Sequence, residues 1–575
     1  MNSQTLKKVL KHLGKYKLLI LLSLILSGTN VILTLYVPII LGQTFDNIID
    51  AGRVDLSAVV PLLIKAVLLA GVAALLQWIA GSVNNRVTFG TVRDIREKAF
   101  NRIQKLPLSY LDTKPVGEVV SRIIADTEQF SDGLLMGFTQ LFSGVVTVIA
   151  TLAFMISVNY KIAIAVALLT PLSLFTAKFI AKRTYSMFKK QSETRGEQTA
   201  FIDEMITGEK VVKAFSRESA ATEKFGEIND RLEKHSLKAT FFSSLTNPVT
   251  RFINSVVYAV VALVGGLSVL GGGLTVGGLT CLLSYANQYT KPFNEISGVI
   301  TEIQNAFACA QRVFELIEAQ PESEDAAGEL TSVSGNVSLK NVFFAYTPEQ
   351  KIIENFSLNV ESGRRVAIVG PTGCGKTTLI NLLMRFYDVK SGSIQVENKD
   401  IRDVTRRSLR KSYGMVLQET WLRSGTIRDN ITFGREDATE EEMIAAAKAA
   451  RAHNFIKRMP QGYDTVIGED GGSLSQGQKQ LLCIARIMLC LPPMLILDEA
   501  TSSIDTRTEK EIQEAFRVLM NGRTSFIVAH RLSTIENADI ILVMNNGNVI
   551  EQGSHKALLE QKGFYYNLYN SQFES

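Results

Sequence analysis

The feature that most restricts the fold is a long uncharged run, Phe252 to Thr290, which contains no Asp, Glu, Lys or Arg. As one α-helix this run would be about 58 Å long, whereas the hydrocarbon core of a bilayer is about 30 Å thick. A break at Gly271-Gly272-Gly273 divides the run into two segments of membrane-spanning length. The run therefore predicts two transmembrane helices joined by a short turn.

Further apolar segments lie earlier in the chain and predict a transmembrane domain over residues 1–317. It begins with a basic amphipathic helix over residues 1–17, which is typical of a membrane surface. The apolar run that follows is too long for a cleavable signal peptide, so we expect none. The predicted crossings lie at about residues 18–45, 57–85, 133–160, 162–181, 252–271 and 275–297.

The distribution of charge predicts the orientation of these crossings. Lys and Arg are abundant in residues 86–132 and 178–251 and sparse in the other connections, so these two segments should be cytoplasmic. The chain is then a multi-pass protein of the plasma membrane, with its N-terminus and its C-terminal half in the cytoplasm. Both inner connections are too long for bare loops. We expect the helices to extend into the cytoplasm and to turn near Ser109–Val120 and Thr207–Phe225, where they can contact another domain.

The remainder of the chain is soluble in composition. Residues 318–333 are acidic and small and predict a linker, and residues 334–575 alternate apolar strands with helical stretches, as in an α/β sheet. The expected fold is an α-helical transmembrane domain followed by an α/β phosphate-loop ATPase domain with an antiparallel β subdomain. The net charge of +5 has no basic stripe, which excludes nucleic acid as a partner. The five cysteines indicate neither a disulfide framework nor a zinc site.

A glycine-rich stretch between a predicted strand, 365–369, and a predicted helix carries the chemistry of this domain. Its spacing fits G-x-x-x-x-G-K-[ST], in which backbone N–H groups and a Lys bind phosphates and a hydroxyl binds Mg²⁺. An ordinary glycine turn is the alternative that the Lys-Thr pair disfavours. The candidate nucleotide-binding residues are Gly370, Thr372, Gly373, Cys374, Gly375, Lys376, Thr377 and Thr378.

A second candidate element is the apolar strand 494–498, which ends in two carboxylates. A triphosphate needs a carboxylate near its Mg²⁺, and hydrolysis benefits from a group that orients or deprotonates water. We assign Asp498 to the metal together with Thr377, and Glu499 to catalysis. Alone, such a strand end often only reaches solvent.

Upstream of that strand, Leu474-Ser475-Gln476-Gly477-Gln478 resembles the signature loop of ATP-binding cassette (ABC) proteins, usually written L-S-G-G-Q. The membrane half resembles that of the exporter half-transporters, so the resemblance covers nearly the whole chain. It implies ATP and Mg²⁺ as cofactors, and ATP hydrolysis that drives export of a multidrug, lipid or peptide-like substrate by alternating access. It also implies two cassettes that close on ATP head to tail.

The resemblance assigns roles to further residues. It implies that Tyr346 stacks on adenine and that His530 contacts the γ-phosphate. It also implies that Gln418 is a catalytic residue that binds the metal and links the metal site to the membrane domain. Each has a structural alternative, such as a core aromatic for Tyr346 and a structural histidine for His530. Residues implied to act across the dimer are Ser475, Gly477, Gln478 and Asp505; a helix-capping role is the alternative for Ser475 and Gly477.

Gln476 departs from the family pattern because it replaces a glycine, which could adopt positive φ freely. The chain's own phosphate site looks complete, whereas the signature that it offers to a partner is altered. This combination resembles one half of a heterodimer, which we favour over a homodimer, although the substitution can also be neutral. Two other functions compete: a soluble cassette protein acting on nucleic acid, which the crossings disfavour, and an ATP-gated channel or regulator.

Overall fold

A computed structural model describes residues 3–50, 53–347, 351–417, 420–468, 471–472, 474–498, 504–528 and 535–573. The chain divides into two compact units. The first, here the helical unit, comprises Met1–Leu106 and Lys114–Gln320. The second, here the sheet unit, comprises Pro107–Thr113 and Pro321–Ser575.

The first 320 residues are almost entirely helical. A 3₁₀ turn (Gly14–Tyr16) follows the first helix and a π-helical segment (Gly137–Phe142) follows the sixth. The helices are α1 (Ser3–Leu13), α2 (Lys17–Asp46), α3 (Leu56–Ile103), α4 (Leu108–Asp112), α5 (Val116–Ile123), α6 (Ala125–Met136), α7 (Ser143–Val158), α8 (Tyr160–Leu169), α9 (Pro171–Thr207), α10 (Glu209–Ala214), α11 (Glu218–Ser244), α12 (Thr246–Leu270) and α13 (Val276–Glu318). A short hairpin, β1 (Ile48–Asp50) and β2 (Arg53–Val54), connects α2 to α3.

Among the described residues, 4 helical stretches are long and apolar enough to cross a membrane: Gln4–Asp46, Leu56–Ile103, Val116–Val158 and Glu218–Leu270. They correspond to the first, second, third and fifth predicted crossings. In the region of the fourth, Thr170 separates two helices, α8 and α9, so its apolar residues are divided between them. The sixth lies in α13, where polar residues and Lys291 interrupt the apolar run. The count of six crossings therefore stays a prediction.

Close backbone contacts hold α2 against α13. A Cβ added to Gly277 would lie 1.9 Å from the carbonyl oxygen of Gly42, so only glycine fits there. Beside this contact the Gly277 N–H donates to Asp46 Oδ1 at 2.7 Å, and the buried Tyr285 hydroxyl donates to the Leu35 carbonyl at 2.6 Å. Small residues and buried hydrogen bonds are the usual means by which membrane helices associate.

The sheet unit contains the remaining strands and helices. The strands are β3 (Val337–Ala345), β4 (Lys351–Val360), β5 (Arg365–Val369), β6 (Ser391–Val396), β7 (Lys399–Asp400), β8 (Tyr413–Val416), β9 (Gly425–Thr426), β10 (Val466–Ile467), β11 (Met494–Asp498), β12 (Thr524–Val528), β13 (Ile540–Asn545) and β14 (Asn548–Gly553). The helices are α14 (Lys376–Leu383), α15 (Arg406–Lys411), α16 (Ile427–Thr432), α17 (Glu440–Ala449), α18 (His453–Ile456), α19 (Gln476–Cys490), α20 (Thr506–Met520), α21 (His555–Gln561) and α22 (Phe564–Phe573).

Two sheets form the core of this unit. The 6-stranded sheet has the order β14-β13-β5-β12-β11-β8 and is parallel except for β14, and the 4-stranded antiparallel sheet has the order β4-β3-β6-β7. Continuous apolar runs such as β5 and β11 are buried, as expected for parallel strands covered on both faces. The predicted α/β fold with an antiparallel β subdomain is confirmed. Asn546 and Gly547, with φ of 46° and 84°, connect β13 to β14 in a hairpin, which is a turn that Asn-Gly favours.

The segment after α13 is bound to the sheet unit by two arginines. The Arg406 side chain, 6% exposed, donates to Asp325 Oδ1 at 2.7 Å and to the Ser323 carbonyl at 2.7 Å. Arg410 donates to Glu322 at 3.2 Å. Much of the acidic stretch predicted as a linker, residues 318–333, is therefore fixed to α15 rather than free.

Candidate functional site

The glycine loop leaves the buried strand β5 and is shaped by three glycines with positive φ: Gly370 at 153°, Gly373 at 80° and Gly375 at 99°. A Cβ on Gly370 would lie 2.2 Å from the Met544 carbonyl oxygen, so the loop passes directly against β13. Cys374 is buried beneath the loop, and its carbonyl accepts from the Gly547 N–H at 3.1 Å. The exposed members of the loop are Pro371, Thr372, Gly373 and Thr377.

The N-terminus of α14 opens towards this loop. Gly375 precedes the helix in a left-handed conformation and supplies no side-chain cap, so the first N–H groups of α14 keep their capacity to bind an anion. Lys376 is 9% exposed, and its Nζ donates to the Gly370 and Pro371 carbonyls at 2.8 and 3.0 Å. Its ammonium group is thus held against the loop by two carbonyls, which a phosphate would replace.

Tyr346 lies directly after β3 and beside this helix. Its hydroxyl donates to Thr378 Oγ1 at 3.2 Å, and its ring, 39% exposed, makes edge contacts with Phe344 and Tyr387 at centroid distances of 4.9 and 5.0 Å. The ring therefore packs against two aromatic rings and keeps more than a third of its surface exposed, so it is not a core aromatic. The hydroxyl contact with Thr378 was not predicted, because it depends on packing between distant segments.

The strand order brings Asp498 to the same edge. β12 lies between β5 and β11, and the register pairs Asp498 with Val528 and Val528 with Ile368. Asp498 is thus two strands from the start of the loop, on the order of 10 Å away. A carboxylate and the Thr377 hydroxyl are the hard oxygen ligands that suit Mg²⁺, so the residues at this edge fit that metal.

The three predicted catalytic residues, Gln418, Glu499 and His530, lie outside the described residues. The strands that precede the catalytic three are described: β8 ends at Val416, β11 at Asp498 and β12 at Val528. All three strands run parallel to β5, and their carboxyl ends meet at the sheet edge that carries the glycine loop.

The Ser475–Gln478 segment forms a capping box at the start of α19. The Gln478 N–H donates to Ser475 Oγ at 3.3 Å, and the Ser475 N–H donates to Gln478 Oε1 at 3.0 Å. Gln476 is the first residue of this helix, so its backbone is helical and does not use the positive φ that a glycine would favour. The backbone reason for regarding Gln476 as harmful is thereby absent. Its exposed side chain instead approaches Thr420 at 3.4 Å.

Gly477 and Asp505 lie where the start of α19 packs against the start of α20. A Cβ on Gly477 would lie 2.3 Å from Thr508 Cγ2, so the two helix starts pack closely. Asp505 caps α20 by accepting from the Arg507 and Thr508 N–H groups at 3.1 and 3.0 Å. The Thr508 N–H, with further hydrogen bonds from Thr508 and Arg507, lowers the pKa of this carboxyl. Asp505 is therefore an N-cap whatever else it contacts.

Known protein families and a solved structure match both parts of this chain. The family profile described as ABC transporter transmembrane region matches residues 20–293, and the profile described as ABC transporter matches residues 353–502. The structure of a bacterial Atm1-family ABC exporter with ATP bound superposes with a TM-score of 0.77 at 30% identity, covering 98% of each chain. The chain belongs to the ABC exporters. It is a half-transporter, with one membrane region and one ATP-binding cassette.

Curated relatives align with most or nearly all of this chain. A fatty acid ABC transporter ATP-binding/permease protein of Mycobacterium bovis is 42% identical over 522 residues, which cover 91% of this chain and 83% of that protein. An ATP-dependent lipid A-core flippase of Desulfotalea psychrophila is 36% identical and covers 99% of this chain and 100% of that protein. The exporter is therefore a multi-pass membrane protein in which ATP binding and hydrolysis drive export.

Proposed function

We propose that this half-transporter exports an amphipathic substrate with a long apolar part, of the lipid or multidrug class, across the plasma membrane by alternating access. The glycine loop and the uncapped N-terminus of α14, in a chain with membrane-spanning helices, carry the ATP-driven part of the proposal. The substrate class is supported by the relatives named for fatty acids and lipid A. The N-terminus and the sheet unit would face the cytoplasm, with six crossings.

Within the sheet unit, Lys376 and the N–H groups of residues 373–378 hold the phosphates of ATP, and the Tyr346 ring supports adenine. Thr377 and Asp498 would bind Mg²⁺, which supplies positive charge to the phosphates when it is present. Three residues then act at the terminal phosphate. Gln418 positions the metal and water, Glu499 accepts the proton of water, and His530 donates to the γ-phosphate.

A dimer completes the site, because Ser475, Gly477 and Gln478 would close on the ATP held by a partner's loop, beside Asp505.

A second surface supports assembly in pairs. The turn between α9 and α11 exposes apolar side chains that no part of the described helical unit covers: Ile206 at 71%, Val211 at 60% and Phe215 at 74%. Exposed apolar groups at a helical tip mark a protein contact, here a cassette of the partner.

We favour a heterodimer over a homodimer, because Gln476 places a long exposed side chain at the position where the family has glycine. Affinity purification of the tagged chain from its native membrane tests this. A second polypeptide with its own cassette would support the heterodimer, whereas recovery of this chain alone, active as a dimer, would show a homodimer.

Transport in sealed inside-out vesicles tests the function itself. We expect ATP-dependent accumulation of a fluorescent long-chain fatty acid or a cationic dye above its equilibrium level, and loss of accumulation in Glu499→Gln. Lys390→Ala, an exposed lysine outside the loop, is the matched control and should transport normally. An ATP-dependent flux that only dissipates a gradient would instead indicate a gated channel.

A further inference from the structure

An apolar cavity of about 280 Å³ lies in the helical unit where α1, α2, α6, the π-helical segment and α13 meet. Its walls are aliphatic and aromatic, with contributions from Val9, Ile20, Leu24, Phe138 and Phe307. Protein interiors keep few voids larger than a water molecule. An engineered apolar cavity of about 150 Å³ stays dry and binds benzene, so a space about twice that size suits an alkyl segment.

The cavity arises from a change in helix spacing. At Gly133, α6 contacts α13 so closely that an added Cβ would lie 2.2 Å from Ala306 Cβ. One turn later, at Gly137, the nearest atom to an added Cβ is Ile303 Cδ1 at 3.8 Å. The π-helical segment Gly137–Phe142 begins at this point, and such segments are often found at functional sites. The opening is thus part of the local fold.

Both the surroundings and the charge of this region suit a lipid-like ligand. The neighbouring face of α2 exposes Leu18, Leu21 and Ile25 at 74%, 55% and 57%, so an alkyl chain can pass from the bilayer to the cavity along an apolar surface. Lys17, an exposed cation, precedes Ile20 and Leu24 by three and seven residues and therefore lies on the same face of α2 as these cavity residues.

We propose that this cavity binds one alkyl chain of an anionic membrane amphiphile, with the carboxylate or phosphate of its head group beside Lys17. The proposal does not depend on which substrate the exporter transports. A single chain fits the volume. The head group stays at the end of α2, where the apolar segment begins.

Photolabelling of the full chain in nanodiscs tests the site. We would use palmitate and a phosphatidylglycerol, each with a diazirine in its alkyl chain, and would map adducts by mass spectrometry. The expected adducts lie on the peptides of α2, α6 and α13 that line the cavity. Unlabelled palmitate should reduce these adducts, because it competes for the same cavity.

Gly137→Leu provides the decisive variant, because its φ of −57° and ψ of −45° accept any side chain and its new side chain would enter the cavity. Labelling should fall at least fivefold. Gly71→Leu is the matched control, since no atom lies within 4 Å of its added Cβ and it lies outside the cavity; labelling should not change. Lys17→Gln should weaken palmitate more than the corresponding alcohol.

The two probes distinguish the two sources from which the bound alkyl chain could come. Labelling by palmitate alone identifies a free fatty acid, and labelling by the phospholipid alone identifies a bilayer lipid; either supports the site. Labelling spread over exposed apolar positions, or unchanged in Gly137→Leu, would overturn the proposal. If Gly137→Leu fails to fold, Leu24→Phe fills the same space and is judged by the same fivefold criterion.

Discussion

Two helices of the cassette begin at loops assigned to ATP, and their N-termini are built in opposite ways. α14 follows Gly375, which leaves its first N–H groups without a side-chain cap. α19 begins with a capping box in which Ser475 and Gln478 each accept from the other's backbone N–H. One helix start is therefore ready to bind an anion, while the other is already satisfied within its own chain.

This difference indicates how the phosphate loop and the signature loop would each contribute to a shared ATP site. In the proposed ATP site, α14 has no side-chain cap to displace, and Lys376 would exchange its two loop carbonyls for phosphate oxygens. The signature loop would exchange the contact between the Gln478 N–H and Ser475 Oγ for a phosphate oxygen, or add the phosphate to it. We infer that closure of the dimer includes a local rearrangement of the backbone cap at α19 and none at the backbone of α14.

The largest expected effect comes from Lys376→Ala. This removes the buried ammonium group that now donates to two loop carbonyls. We expect ATP hydrolysis to fall about 100-fold or more, measured as phosphate release by the reconstituted dimer. Lys390→Ala should stay within twofold of the wild type. A Lys376→Ala protein with hydrolysis within threefold of the wild type would show that the loop binds phosphate through its backbone alone.

Gly375→Ala tests whether the uncapped start of α14 depends on glycine. The residue has φ of 99°, and an added Cβ would lie 3.0 Å from Ile352 Cγ2. We expect a loss of about 1 to 3 kcal/mol of stability and weaker binding of a fluorescent ATP analogue. The control is Gly196→Ala in α9, where no atom lies within 4 Å of the added Cβ. Equal melting temperatures for the two variants would contradict the expected strain.

Ser475→Ala removes the capped start of α19. Loss of an N-cap costs about 1 kcal/mol, so thermal unfolding should move slightly downward while ATP binding by a single chain is unchanged. Hydrolysis in the dimer should fall by more than the stability change explains. Ser475→Thr retains the hydroxyl and should restore both values; if it restores only stability, the two roles of Ser475 are separate.

The cap of α20 adds a pH dependence to the comparison. The Thr508 N–H lowers the pKa of Asp505 relative to the unfolded chain, where it is about 3.9. Its contribution to stability is therefore complete above that value and is lost as the pH falls through the lower, folded value. Asp505→Asn keeps an acceptor without a charge. Its melting temperature should lie below that of the wild type at pH 7, and the two should converge as the pH falls below about 4. A constant difference would assign the effect to shape rather than charge.

The smallest effect is expected for Gln476→Gly. Because Gln476 already has a helical backbone, glycine offers no conformational advantage and costs less than about 1 kcal/mol. Hydrolysis by the purified dimer should change less than twofold. A fivefold increase would instead show that the partner's ATP requires the smaller residue.

Much of this arrangement follows from local sequence. The α/β sheet is predicted because apolar runs such as residues 494–498 alternate with helical stretches, and the turn between β13 and β14 agrees with the preference of Asn-Gly for hairpins. Capping at Ser475 was weighed for the same local reason. The contact of Tyr346 with Thr378 could not be predicted, because it joins segments that only the folded sheet unit brings together. The consequence of Gln476 likewise depended on where α19 begins.

The membership of α4 in the sheet unit has a practical consequence. The chain leaves the helical unit at Pro107 and returns to it at Lys114, and within the sheet unit the Tyr387 hydroxyl donates to Asp112 of α4. Burial and this hydrogen bond raise the pKa of Tyr387. A cassette expressed from residue 321 onward would therefore lack a piece of its own unit and lose the hydrogen bond between Tyr387 and Asp112. A five-residue peptide with the sequence of α4, added in trans, is the natural way to restore that contact.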